Sequence, residues 1–110
     1  MIDLGKTSSG MRANIAGALC YLAGFITGII FYVTEKDNKF VRFHAFQSIV
    51  VFGFLFVISA IFSFFPFLGF LLGRLIWFVS LILWLLLMFK AYKGDKFKLP
   101  VAGNIAEKNS

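Results

Sequence analysis

The sequence predicts an all-α integral membrane protein with three transmembrane helices, at about residues 13–33, 43–65 and 67–89. Three observations carry this. Hydrophobic residues make up 60% of the 110 positions and charged residues only 15%, a balance that a soluble fold has no means of burying. The apolar residues are gathered into uncharged runs, from Ala13 to Val33, Ala45 to Gly73 and Leu75 to Phe89. Each run reaches or approaches the roughly 20 helical residues that cross a hydrocarbon core of about 30 Å. A single dense polar island, Thr34 to Ser48, stands between the first run and the second.

Residues 1–12 form a polar N-terminal segment holding Lys6 and Arg12. The first apolar run is too long for the core of a signal peptide, and no small-x-small cleavage site closes it. In Gly17-Ala18-Leu19-Cys20 the leucine before Cys20 is wrong for a lipid-attachment box. One cysteine forms no intrachain disulfide, so Cys20 reads as a small packing residue. Ala13, Gly17, Cys20, Gly24, Thr27 and Gly28 recur at intervals of three and four, which puts them on one helical face. Apolar surface alone drives no helix association in lipid, so a face of small residues is where another helix approaches closely. Gly17, Cys20, Gly24 and Gly28 are therefore the candidate packing face. Packing against the other two spans of the same chain is favoured over a dimer contact. The expected form of this run is one span; its glycines also permit two half-helices that enter and leave on the same side.

Glu35 to Lys39 should form a tight turn that meets water. The second span follows, with His44, Gln47 and Ser48 at helical spacing on one face. With Glu35 and Arg42, which are placed to pair, they make the candidate intramembrane polar patch. Their expected partners are other helices or the tail. Pro66, between Phe64-Phe65 and Phe67-Leu68-Gly69, is the turn signal for a short apolar hairpin into the third span. Arg74 interrupts that span and is expected to snorkel along its aliphatic stem toward the interface. Trp77 and Trp84 share one face, and Lys90, Tyr92 and Lys93 form an interfacial anchor. The transmembrane domain covers 13–92, and a basic tail, interleaved with apolar residues, covers 93–110.

With three spans, Lys36, Lys39, Arg42, Lys90, Lys93, Lys96, Lys98 and Lys108 share one side, against Lys6, Arg12 and Arg74 on the other. The positive-inside rule puts the first loop and the tail in the cytoplasm of a prokaryotic cell membrane. No nucleic-acid partner is expected, because topology already accounts for these charges. A lone histidine has neither the ligand count for zinc nor the partners for a nucleophilic triad, and no phosphate-cradling loop is present. No catalytic residue, cofactor or metal site is expected.

Gly17 to Leu22, Glu35-Lys36 with Phe40-Val41-Arg42-Phe43-His44-Ala45-Phe46-Gln47-Ser48, and Lys90-Ala91-Tyr92-Lys93-Gly94 followed by Leu99-Pro100-Val101-Ala102-Gly103 resemble a known group. It comprises small prokaryotic membrane proteins of domain-of-unknown-function family 4870, grouped with the twenty-kilodalton subunit of the chloroplast inner-envelope translocon. The resemblance implies an integral membrane protein without assigned activity. The plastid relative has four spans and an association with protein import. The reading is a non-enzymatic scaffold or accessory subunit, related to translocation, whose partners are the bilayer and other membrane proteins or further copies of itself. The alternative is a small oligomeric transporter or channel entered at the polar patch.

Overall fold

A computed structural model describes Gly5, Thr7 and residues 10–110; Lys6 and most of the polar N-terminal segment lie outside the described residues. Five helices occur among them: α1 (Ala13–Leu19), α2 (Phe25–Thr34), α3 (Lys39–Phe62), α4 (Pro66–Tyr92) and α5 (Ala102–Lys108). Two of these, α3 with 24 residues and α4 with 27, are long and apolar enough to cross a membrane. At about 1.5 Å per residue they reach roughly 36 and 40 Å.

The expected first span over 13–33 is not one helix, and this corrects the count of three. The run is broken between Cys20 and Gly24. Tight i→i+3 turns from Tyr21 to Ala18, Leu22 to Leu19 and Gly24 to Tyr21 end α1. Gly24 then takes φ 62° and ψ −134°, a left-handed backbone that costs glycine little and other residues much. Broken backbone within a membrane must find hydrogen-bond partners in the protein. Three side chains supply them here. Thr27 Oγ1 donates to Cys20 O at 3.0 Å and accepts the Ala23 amide at 3.1 Å. Trp84 Nε1 donates to Leu22 O at 3.2 Å, and Ser48 Oγ donates to Gly24 O at 2.7 Å.

The two halves form an antiparallel helical pair packed on α3. Asn14 Nδ2 donates to Tyr92 O at 2.9 Å, which ties the start of α1 to the end of α4. From there α1 descends beside the first turns of α3, and the break lies near Phe52. Helix α2 returns antiparallel along α3, through the pairs Phe25 with Phe56 and Tyr32 with Phe46, to the turn at Glu35. The start of α1 and that turn therefore lie at the same end of the molecule.

Asn38 starts α3 by accepting the Val41 amide on its side chain at 3.1 Å. At the far end Pro66 occupies the first turn of α4, where its missing N–H costs nothing. Gly69 lets the two helices meet at that hairpin, since a Cβ there would collide with the Phe62 carbonyl oxygen.

The tail does not simply leave the membrane surface. Gly94, at φ 88°, reverses the chain after α4. Residues 95–99 then run without regular structure along α3, and α5 packs back against α3 toward its start. The reversal sits at Val101, whose φ of 65° and ψ of −57°, with Ala102 N donating to Pro100 O at 2.7 Å, make a γ-turn of the rarer, strained hand. The N-terminal half of α3 is thus surrounded by α1, α2, the tail and the end of α4. The outer half of the hairpin has little around it: α4 buries only Leu87 and Ala91, both near its C-terminal end.

Candidate functional site

The polar patch sits where α1, α3 and the tail converge. Tyr21, His44, Gln47 and Ser48 are all fully buried. Helical spacing turns His44, Gln47 and Ser48 toward one side of α3. The break after α1 brings Tyr21 to meet them, because it sits on the last turn before the chain reverses.

Tyr21 is the hub. Its hydroxyl accepts from Gln47 Nε2 at 3.0 Å and lies 2.6 Å from His44 Nδ1. His44 Nε2 is 3.0 Å from the carbonyl oxygen of Asp95, which can only accept. The ring proton therefore sits on Nε2, and Nδ1 accepts the tyrosine proton. One neutral tautomer satisfies the whole chain of bonds. The rings of Tyr21, Phe40 and Phe43 enclose the imidazole edge-on, at centroid distances of 5.5, 4.6 and 5.1 Å.

Gln47 reads the tail by its backbone. Nε2 donates to Phe97 O at 2.9 Å and Oε1 accepts the Leu99 amide at 3.0 Å. Ser48 does not touch the tail; its hydroxyl holds the break at Gly24. Arg42 and Glu35 approach one another differently from a side-chain pair. Arg42 Nη1 donates to the backbone carbonyls of Glu35 at 2.9 Å and Tyr32 at 3.2 Å, while Nε donates to Ser110 O at 3.1 Å. The Glu35 carboxylate caps the turn, accepting the amides of Asp37 and Asn38 at 3.2 and 3.1 Å. Arg42 also stacks on the Tyr32 ring, whose hydroxyl donates to Asn109 O. Among the described residues the one ion pair is Lys98 with Glu107, at 2.7 Å on the exposed side of the tail. That bond holds the Glu107 carboxyl below its ordinary range.

The small residues of the first run face α3 of the same chain. A Cβ on Gly17 would lie 2.8 Å from the Phe40 ring, and one on Gly28 would lie 2.8 Å from Ala45 O and 3.0 Å from Ser48. The Cys20 thiol donates to Ala16 O at 3.2 Å and lies 3.6 Å from Val41 O. Gly24 supplies the break. Tyr21 and Asn14 are members of the site that the sequence does not single out, and Trp84, expected on one face with Trp77, reaches the break at Leu22 O. The signal for Tyr21 was its place beside Cys20 on the small-residue run, one helical step from the face expected to pack.

Among the described residues, no buried side-chain nitrogen or oxygen lacks a hydrogen-bond partner, and no group of three or more His, Cys, Asp or Glu side chains is placed to hold a metal ion. The arrangement is a clamp: buried side chains whose donors and acceptors hold a broken helix and a folded-back tail onto α3.

The sequence matches, over residues 7–106, the model of a family described as the magnetosome magnetite crystal formation protein family. It is similar to a UPF0132 membrane protein of Methanocaldococcus jannaschii, 58% identical over 110 residues, covering 100% of this chain and 99% of the relative. A UPF0132 membrane protein of Archaeoglobus fulgidus is 48% identical over 97 residues, 88% of this chain and 94% of its own. A second UPF0132 membrane protein of M. jannaschii is 43% identical over 99 residues, 90% of this chain and 71% of its own. No solved structure matches.

Proposed function

From the premise that this chain belongs to the family described as magnetosome magnetite crystal formation proteins, with UPF0132 membrane proteins among its relatives, we propose that it is a non-enzymatic scaffold or accessory subunit of a membrane complex. It docks its partner on the outer flank of the α3–α4 hairpin. One observation carries this reading: the polar side chains are bonded within the chain, whereas α4 from Pro66 to Leu86 contributes no buried residue. What is left to interact outward is a long helical flank with Gly73, Trp77 and Ser80 along it.

The translocon resemblance adds protein translocation as the setting for such a subunit. The membrane is the prokaryotic cell membrane, with the turn at Glu35 and the tail in the cytoplasm.

Photo-crosslinking from Trp77 and Phe78 in native membranes tests the proposal; a specific protein adduct is expected, and lipid adducts alone at both positions would refute it. The channel reading requires the tail to vacate His44 and Gln47. It predicts solute flux in proteoliposomes that rises in Gln47→Leu, whereas the scaffold reading predicts none in either protein.

A further inference from the structure

We propose that Arg74, Trp77 and Phe78 form a seat for the headgroup phosphate of one membrane lipid, in the leaflet at the hairpin end of the molecule. These three residues line an open groove of about 410 Å³ on α4, and all three are exposed. The Arg74 guanidinium lies over the Phe70 ring, 4.6 Å from its centroid, so the side chain runs one helical turn back toward Pro66. Stacking occupies the face of the guanidinium and leaves its in-plane N–H groups for an acceptor outside the helix. That fork matches two oxygens of a phosphate. The chain itself brings no carboxylate to it. Among the described residues the one ion pair is Lys98 with Glu107, and Glu35, Asp37 and Asp95 stand at the other end.

Depth selects the occupant. The charge of Arg74 stands level with Phe70, and Phe70 and Lys90 are 20 residues apart on α4. At about 1.5 Å per residue that is roughly 30 Å, the thickness of the hydrocarbon core. With Lys90 at one boundary, the guanidinium reaches the other, where lipid phosphates stand. Trp77 and Phe78 follow about 10 Å deeper along the axis and line the same groove. A cation at the phosphate level above two apolar walls fits a headgroup together with its chains, whereas a free phosphate has no use for the walls. A second copy would bring another Arg74 and, among the described residues, no acid at this end, so like charges oppose pairing through the groove. Gly73 and Ser80 lie on the other side of Trp77, in the groove toward α3. The lipid seat is therefore separate from that small-residue face, and lipid and protein partner can be present or absent independently.

The test offers the full-length protein, in mild detergent, equal amounts of phosphatidylglycerol and a phosphate-free galactosyl diacylglycerol with the same chains, and reads retention by native mass spectrometry. Phosphatidylglycerol should be retained over the glycolipid by about fivefold or more, the worth of one well-placed basic residue at a headgroup. Arg74→Gln should bring that ratio close to one, and Arg74→Lys, which keeps the charge without the planar fork, should fall between. Phe78→Ala should lower retention of both lipids. Lys90→Gln, at the other end of α4, should keep the preference and controls for net charge. Equal retention of the two lipids by the unaltered protein would overturn the proposal, as would an undiminished preference in Arg74→Gln. Displacement of bound phosphatidylglycerol by inorganic phosphate would assign the groove to the free anion and overturn the lipid seat. Capture of protein alone by a photo-crosslinker at Phe78 in native membranes would assign Arg74 to a partner's carboxylate, with the same consequence. A thermal melt of each variant in the same detergent separates loss of the site from loss of the fold.

Discussion

Gln47 is the residue on which the two ends of the chain depend. Its amide bonds Tyr21 from the break in the first apolar run and both Phe97 and Leu99 from the tail. Replacing it with leucine keeps the volume and removes all three bonds, leaving the Phe97 carbonyl and the Leu99 amide in an apolar groove. Each orphaned group costs about 1–3 kcal/mol, so Gln47→Leu should destabilise the protein by about 2 kcal/mol or more. The unfolding midpoint in detergent should fall, and trypsin should cut after Lys96 and Lys98 faster. Gly28→Ala acts by sterics at the same packing seam. Its Cβ would press on the Ala45 carbonyl at 2.8 Å, and overpacking of this kind costs typically about 1–3 kcal/mol. Loss of stability in the same melt, with trypsin sensitivity of the tail unchanged, is the expected signature. The patch residues His44, Gln47 and Ser48 were legible in sequence, because a polar group on a membrane helix must have a partner. The partners were not. Two of them are backbone carbonyls about fifty residues away, and a carbonyl carries no signature in the sequence.

At the scale of elements, the broken first run shows why periodicity alone misreads a segment that folds back on itself. Gly24 and Gly28 at a spacing of four read as a helix-packing motif, and Gly28 does pack. Gly24 instead carries the positive φ, and the break is stable only because Thr27, Ser48 and Trp84 reach the freed carbonyls from three helices. The two long helices were legible, to within a few residues at each end, from their uncharged length. The tail reads in sequence as a basic segment interleaved with apolar residues, and in the structure Leu99 and Ala102 pack inward around an exposed Val101, at a place that depends on Gln47. The outer edge of that tail predicts a pH response. Lys98 stabilises the ionised Glu107 and lowers its pKa, so this contribution is fully present above the ordinary carboxylate range and is lost as pH falls through the lowered value. A spin label on Asn104→Cys should gain mobility only below about pH 4, the ordinary glutamate range. In Glu107→Gln the mobility should not vary with pH. Both groups are exposed, so the effect should be confined to α5, and a change in the global melt would contradict this assignment.

The whole molecule is 48 Å long and 24 by 21 Å across, thick at one end and thin at the other. At the thick end α1, α2, the tail and α5 cluster around the two long helices; at the thin end only the hairpin continues. Folding the first run back on itself also moves Arg12 to the thick end. There it joins Lys36, Lys39, Arg42, Lys90, Lys93, Lys96, Lys98 and Lys108. Among the described basic residues, this leaves Arg74 toward the other end. This asymmetry among the described residues is what the positive-inside rule reads, and the proposed orientation, with the turn at Glu35 and the tail on the cytoplasmic side, rests on it. Side-specific cysteine labelling tests this directly, in a Cys20→Ala background with single cysteines at Arg12, Lys36, Lys108 and Phe65. The fold predicts that Arg12→Cys, Lys36→Cys and Lys108→Cys react from one side of sealed membranes and Phe65→Cys from the other. Labelling of Arg12→Cys from the side opposite to Lys36→Cys would mean that the first run crosses the bilayer, and would contradict the re-entrant fold.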